Sequence, residues 1–366
     1  VTALVSMLAA RSPIHMLAFD TRAMMLLNFE PGELPPEAEC LRHEVRNFLV
    51  ESMADIPAEL RARNWTAWNP EFSRKLGERG WIGMTWPKKY GGAERSFLER
   101  YVLLEELLAA GAPVGFHWIA DRQSGPLILR FGTEELRERI LPGITRGEIA
   151  FAIGMSEPNS GSDLASVRTK AEKVEGGYLI NGSKIWTSGA HMADYLVALF
   201  RTSGTAEDRH AGLTQFVVDL KNTKGIDIRP IKNMTGDHDF NQVFFEDAFV
   251  PEGMRVGNEG DGWPQVTTEL AFERSGPERY LSSFPLLRES VGQAGQNPSE
   301  RQAIGLGRMV ARAATFREMS LSVSGMLEAG ENPNLEAAVM KEIGVGFEQK
   351  IPNIAHELFG ISPRLG

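Results

Sequence analysis

Tyr178-Leu179-Ile180-Asn181-Gly182-Ser183-Lys184-Ile185-Trp186-Thr187 is the stretch on which the fold turns. β-Prone residues flank an Asn-Gly pair, the dipeptide that best tolerates positive φ at both central positions of a tight turn, so a hairpin closing at Asn181-Gly182 is expected. Further β-prone runs occur at Tyr195 to Phe200, Leu213 to Leu220 and Gln242 to Phe245, with turn residues between them. Several short strands and no long helical stripe predict a β-barrel or sandwich over 151–257.

Outward from this segment the hydrophobic period changes. Leu41, Val45, Phe48 and Leu49 form one helical stripe and Leu103, Leu104, Leu107 and Leu108 another, which predicts an all-helical domain over 25–150. Pro87, Gly91 and Gly92 end the stretch around Trp81 and Trp86. Thr133 is an N-cap candidate for a helix that Pro142 and Gly143 are expected to close. Beyond Gly262 the helical pattern returns. Helices are expected from Thr267 to Arg274, after Ser299 and Gln302 with Met309, Ala313 and Phe316 on their face, and from Asn334 to Leu358. This C-terminal helical domain, 258–366, reads as incomplete. Residues 1–24, which hold Arg11 and no acidic residue before Asp20, read as a leader or an artificial segment.

With 366 residues, 42% of them hydrophobic and 24% charged, the chain can bury a core without staples. A net charge of -9 argues against nonspecific nucleic-acid binding. A single cysteine, Cys40, excludes a disulfide framework, iron-sulfur clusters and cysteine-rich zinc sites. The seven histidines, His15, His43, His117, His191, His210, His238 and His356, show no metal-ligand spacing. The most apolar stretch, Leu103 to Ala120, carries Glu105 and Glu106, so no membrane span is expected.

No dinucleotide fingerprint, Walker loop or nucleophile elbow occupies its required strand-to-helix setting. The loop Ser156-Glu157-Pro158-Asn159-Ser160-Gly161-Ser162-Asp163 follows an apolar run and admits two readings. One is a capped turn, since Ser, Asn, Gly and Asp are ordinary turn residues. The other is an anion cradle, with Gly161 admitting close backbone approach and Ser162 offering an N–H and a hydroxyl. Trp186, followed by Thr187, Ser188 and Gly189, is either a core side chain or an aromatic plane for a flat heteroaromatic cofactor. Glu273 and Arg274 follow the apolar Leu270 to Phe272. They form either a structural ion pair or a site in which burial raises the basicity of Glu273 enough for proton abstraction. Glu278 and Arg279 are expected to be solvated.

Together these segments resemble the acyl-CoA dehydrogenase family over most of Arg46 to Gly360. The family's flavin loop is a hydroxyl residue, Glu-Pro, two variable residues and Gly-Ser-Asp, as in Ser156 to Asp163; its second marker is Asn-Gly followed by Lys, a hydrophobic residue and Trp, as in Asn181 to Trp186. Gly80-Trp81-Ile82-Gly83, Pro87, Tyr90-Gly91-Gly92, Gly125-Pro126 and Phe131-Gly132 add to the likeness. The resemblance implies an α+β multidomain protein with an N-terminal all-helical domain, a middle β-barrel and a C-terminal helical bundle, and FAD as cofactor. It implies that Met155 and Ser156 contact the flavin, with Ser156 on its pyrimidine side. Gly161 and Ser162 would meet the pyrophosphate, Trp186 would flank the ring and Ser188 would bond near N5. Glu273 would be the catalytic base and Arg274 a CoA contact; Ser162 would also touch substrate. No metal is implied.

The implied reaction is α,β-dehydrogenation of an acyl-CoA thioester, with an electron-transfer flavoprotein as acceptor and a homotetramer or heterotetramer as assembly. The location implied is the cytoplasm in a bacterium or the mitochondrial matrix in a eukaryote. Some members instead carry the base on a segment that would lie beyond Gly366. Two departures bear on assembly: Gly292 to Arg301 lacks the family's arginine pattern, and Glu357 and Gly360-Ile361 stand where glutamine and a double glycine are usual. They suggest the flavin-holding half of a heterotetramer. The other readings are a noncatalytic partner subunit and an acyl-CoA oxidase or flavin monooxygenase on the same fold. Asp121, Arg122 and Gln123 are candidates to face the acyl chain.

Overall fold

The computed structural model describes residues 27, 29–30, 32–267 and 276–360. The expected leader, 1–24, together with Glu273, Arg274 and Ile361, lies outside the described residues. The first part of the chain is helical: α1 (Pro36–Ser52), α2 (Ala58–Arg63), α3 (Pro70–Glu78), α4 (Phe97–Ala110), α5 (Gly115–Ile119), a π-helical turn over Ala120–Ser124, α6 (Gly125–Phe131) and α7 (Glu134–Thr145). Both predicted stripes are buried, as are Trp81 and Trp86. Thr133 caps α7 by accepting from Leu136 N at 3.2 Å. That helix runs through Pro142 instead of stopping there. Proline removes one hydrogen bond, and the carbonyl it leaves belongs to Glu138, an exposed residue.

Eight strands follow: β1 (Phe151–Gly154), β2 (Lys170–Val174), β3 (Gly177–Ser188), β4 (Tyr195–Arg201), β5 (Leu213–Asp219), β6 (Ile226–Ile231), β7 (Phe240–Pro251) and β8 (Arg255–Val256). Their order is β6-β7-β3-β2-β4-β5-β8, with β1 parallel to β4. The expected barrel is therefore corrected: β6 and β8 end the sheet without pairing to each other, and it does not close.

The Asn181-Gly182 hairpin is also corrected. β3 passes straight through that pair, and the turn lies earlier, at Glu175-Gly176, where Val174 faces Gly177 and Gly176 has φ of 80°. Asn181 instead stands alone opposite Glu246 and Asp247, a bulge in β7. The register shifts there, Asn181 exchanges two 2.9 Å hydrogen bonds with Asp247, and Asp247 itself takes a φ of 47°. A Cβ on Gly182 would stand 2.7 Å from the Thr169 hydroxyl, so the glycine is required by close approach.

A helical segment over 262–267 leads out of the sheet, and α8 (Glu278–Leu281), α9 (Phe284–Ala294), α10 (Glu300–Glu328), α11 (Asn334–Glu348) and α12 (Lys350–Phe359) complete the described chain. Ser299 and Gln302 stand at the start of α10 as expected, and there they form a capping box. The expected single helix from Asn334 to Leu358 is two, parted at Gln349, with Pro352 in the first turn of the second. The two helical regions are tied by a buried charge network. Arg42 on α1 donates to Glu105 at 2.7 Å and Glu106 at 2.6 Å on α4, and Arg317 on α10 donates to Glu105 at 2.7 Å. The Tyr101 and Tyr280 hydroxyls meet at 2.9 Å beside it. No helix among the described residues is long and apolar enough to cross a membrane.

Candidate functional site

The loop after β1 is held from within the sheet. Glu157 and Ser160 exchange backbone hydrogen bonds of 2.9 and 3.0 Å around Pro158-Asn159, so the segment is a tight turn. Below the turn, the Glu157 carboxylate accepts from Arg168 N at 2.7 Å, Thr169 N at 2.9 Å and Lys184 Nζ at 2.9 Å. The Lys184 side chain has no exposed surface, and its ammonium also donates to the Met155 carbonyl at 3.1 Å. Burial lowers the Lys184 pKa to about 8 while the charge of Glu157 holds it up. For Glu157, burial pushes upward, but Lys184 and the converging N–H donors outweigh it and the net shift is downward. The two sequence markers are thus one physical unit, since an acid from the first is paired with a base from the second. Ile185 N adds a 2.9 Å bond to the Ser156 carbonyl.

Gly161, Ser162 and Asp163 lie at the exposed end of this loop. Gly161 has no positive φ, and a Cβ built on it would meet nothing within 4 Å, so the protein's own packing does not call for glycine there. Such a bare backbone is suited to a ligand's close approach. Asp163 pairs with Arg209, and Arg201 grips the backbone behind it. The Arg201 guanidinium donates to the carbonyls of Ala165, Val167, Arg209 and Ala211 at 2.8 to 3.0 Å.

Trp186 is 58% exposed, which overturns its reading as a core side chain. It sits at φ 60° in a second bulge, where Ile185 and Trp186 on β3 stand against Gln242 alone on β7. A non-glycine residue in the left-handed region costs ~1–2 kcal/mol, and such strain gathers at functional sites. Phe240 braces the indole edge-on, with 6.0 Å between ring centroids. Ser188 is exposed two residues on, while Thr187 between them is buried with its hydroxyl unpartnered. An exposed indole, a neighbouring hydroxyl and a bare glycine loop fit a flat aromatic cofactor with an anionic tail.

Among the other candidates, Asp121 is buried and accepts from Gly83 N at 2.7 Å and Arg100 at 3.0 Å, a structural role. Arg122 pairs with Glu278, and both are buried, so the expectation that Glu278 is solvated is corrected. The cause is its placement at the start of α8, facing the π-helical turn. Arg279 is also mostly shielded. Sequence reasoning passed over the partnership of Glu157 with Lys184, the four-carbonyl grip of Arg201, and Asn241. Only the lysine and the glutamate stand inside recognised motifs, which was the available signal.

Two family descriptions cover more than half of the chain: "Acyl-CoA dehydrogenase, N-terminal domain" matches residues 35–148 and "Acyl-CoA dehydrogenase, middle domain" residues 152–248. The chain belongs to the acyl-CoA dehydrogenase family. Its relatives in that family include FadE26 of Mycobacterium tuberculosis, 31% identical over 90% of this chain and 86% of that protein. FadE34 of the same organism is 36% identical over 79% of this chain, which spans 40% of the longer FadE34. Among solved acyl-CoA dehydrogenase structures, one described as the Tcur3481-Tcur3483 steroid ACAD aligns with a TM-score of 0.80 at 30% identity, over 90% of this chain and 87% of that one. The ChsE4-ChsE5 complex from Mycobacterium tuberculosis aligns with a TM-score of 0.76 at 30% identity, covering 90% and 86%.

Proposed function

We propose that the chain carries out FAD-dependent α,β-dehydrogenation of an acyl-CoA thioester. The observation that carries this reading is the exposed, strained Trp186, joined to the Ser156–Asp163 loop through the Lys184–Glu157 pair. Met155 and Ser156 would hold the flavin at its pyrimidine side, Gly161 and Ser162 its pyrophosphate, with Trp186 against the ring and Ser188 near N5. FAD, when bound, supplies the acceptor for the β-hydride. The chain's own part is to orient the thioester, through Arg274 on the CoA and Ser162 beside the acyl portion, and to remove the α proton with the Glu273 carboxylate. A carboxylate manages this when donors meet the thioester oxygen as negative charge develops there and water is excluded.

The substrate class we favour is a bulky, flat acyl group, by likeness to the relative described as a steroid ACAD. An aromatic wall supports it: Trp68 stands edge-on to Phe116 at 5.2 Å and lies 3.6 Å from where a Cβ on Gly189 would be, next to Ser188. Assembly with a related chain in a heterotetramer, and electron transfer to a separate flavoprotein, complete the reading; the altered Gly292 to Arg301 region favours the heteromer.

Anaerobic titration of the FAD-loaded protein, with any chain that copurifies, against acyl-CoAs of differing bulk tests it. Bleaching of the flavin by a bulky acyl-CoA is expected. Glu273→Gln should keep FAD and CoA binding and slow bleaching by several orders of magnitude. Failure of the wild type to bind FAD refutes the proposal, and near-normal bleaching in the variant reassigns the base.

A further inference from the structure

Directly across the sheet from Trp186 and Ser188 lies a polar group that proton abstraction does not use. Asn241 on β7 is fully buried and stands opposite Thr187 on β3. Its Nδ2 donates to the Thr187 carbonyl at 2.9 Å and faces His191 Nδ1 at 3.2 Å, while its Oδ1 is 2.7 Å from His238 Nε2. The two imidazoles stack with 3.7 Å between centroids and 16° between planes. This pairing falls immediately after the extra residue in β3, at the point where the ladder resumes beyond the bulge.

Hydrogen-bond complementarity fixes the protons. The amide oxygen takes Nε2–H of His238, and the two amide hydrogens go to the Thr187 carbonyl and to an unprotonated His191 Nδ1. Every polar atom of Asn241 is then used, and the Thr187 carbonyl is tied to a side chain from the neighbouring strand. We propose that Asn241 is a positioning residue for the cofactor: by holding the Thr187 carbonyl it sets the bulge that turns Trp186 and Ser188 outward. This rests on the reading of that segment as flavin-facing.

The same geometry makes the clamp sensitive to acid. A proton on His191 Nδ1 would set N–H against N–H and drive the imidazole from the amide. His191 is exposed to solvent protons. Burial, then the adjoining His238, lower its pKa against the opposing charge of Asp239. Asp239 is itself engaged by Asn233 at 2.7 Å and lies 3.7 Å from Arg63, which also pairs with Asp237 at 2.6 Å. Release is therefore expected on the acid side of the ordinary histidine range.

Asn241→Asp keeps the acceptor for His238 and removes the donor to Thr187. Amide hydrogen exchange of the cofactor-free protein is compared over 186–189 and, as an internal control, over 177–183; the FAD dissociation constant is measured on the same samples. Expected are ~10-fold faster exchange confined to 186–189 and a ~10-fold weaker FAD complex, the size of one lost hydrogen bond. A second variant, His191→Phe, sits at an exposed position and keeps the ring stack. It should abolish the ~10-fold weakening of FAD binding expected of the wild type between about pH 7.5 and 5. Unchanged exchange in Asn241→Asp, or faster exchange with unaltered FAD affinity, overturns the positioning role while leaving the dehydrogenase reading intact. A persisting acid limb in His191→Phe overturns the acid release. A wild type that binds no FAD overturns the functional reading and the cofactor role of the clamp together, whatever the exchange shows.

Discussion

Replacing Glu157 by glutamine tests the joint between the two site segments. The carboxylate receives three donors, from Arg168, Thr169 and Lys184, on two oxygens. Glutamine keeps one oxygen and presents an amide N–H₂ where the other stood, so at least one buried N–H is left facing a donor, at ~1–3 kcal/mol. Lys184 would retain only the Met155 carbonyl, and removing one charge of a buried pair costs ~3–5 kcal/mol. Lysine escapes part of that by releasing its proton, since burial has already lowered its pKa to about 8 and the opposing charge would be gone. The two penalties overlap, and the expected net loss is ~3 kcal/mol. Urea unfolding with the slope checked against wild type measures it, and hydrogen exchange over 155–169 locates it. Glu157→Gln combined with Lys184→Met should regain ~2 kcal/mol, because no charge is then left alone. The sign with pH follows from the depressed carboxylate. Its contribution is complete above the ordinary value of 4.5 and fades as pH falls through the lower folded value, so wild type and variant should converge in acid. A loss under ~1 kcal/mol at neutral pH, or a double variant no better than the single, refutes the reasoning.

Trp186→Gly should leave stability within ~1 kcal/mol, since relief at φ 60° offsets the added chain entropy, yet strip FAD from the purified protein; retained flavin absorbance contradicts this. Arg42→Ala should cost ~3 kcal/mol in urea unfolding, because among the described residues Glu105 and Glu106 then keep one cationic partner each, Arg317 and Arg46. Arg201→Lys, whose single ammonium cannot span four carbonyls, should cost ~2 kcal/mol and speed hydrogen exchange over 163–169 and 209–212; protection equal to wild type refutes the grip.

The helical stripes, the cap at Thr133 and the helix start near Ser299 were legible because they depend on residues within one or two turns of each other. The strands at Tyr195, Leu213 and Gln242 were legible for the same reason, although β7 extends well beyond its apolar run. Asn181-Gly182 misleads because the pair also suits a strand that passes a bulge in its neighbour, and only β7 decides between that and a turn. Glu175-Gly176, the actual turn, has the weaker local signature. At the site, Trp186 could be singled out from its motif, but its exposure depends on a register set by β7. The burial of Glu278 depends on Arg122, 156 residues earlier, and no periodicity links two charges so far apart. Closure of the sheet was likewise a matter of pairing at its two ends, which strand count alone does not fix.

An unclosed sheet keeps a free border, and β6 is that border on one side. Its outer backbone groups would template another extended chain, the first step toward fibrous self-association. Here the border carries Pro230, which has no N–H to offer, and Asp227 with Arg229 held together at 2.7 Å, so an incoming strand would lose a ladder bond and displace an ion pair. Engineering that swaps Pro230 for a β-branched residue would leave the Ser156–Asp163 loop and Trp186 untouched and yet favour edge-to-edge self-association.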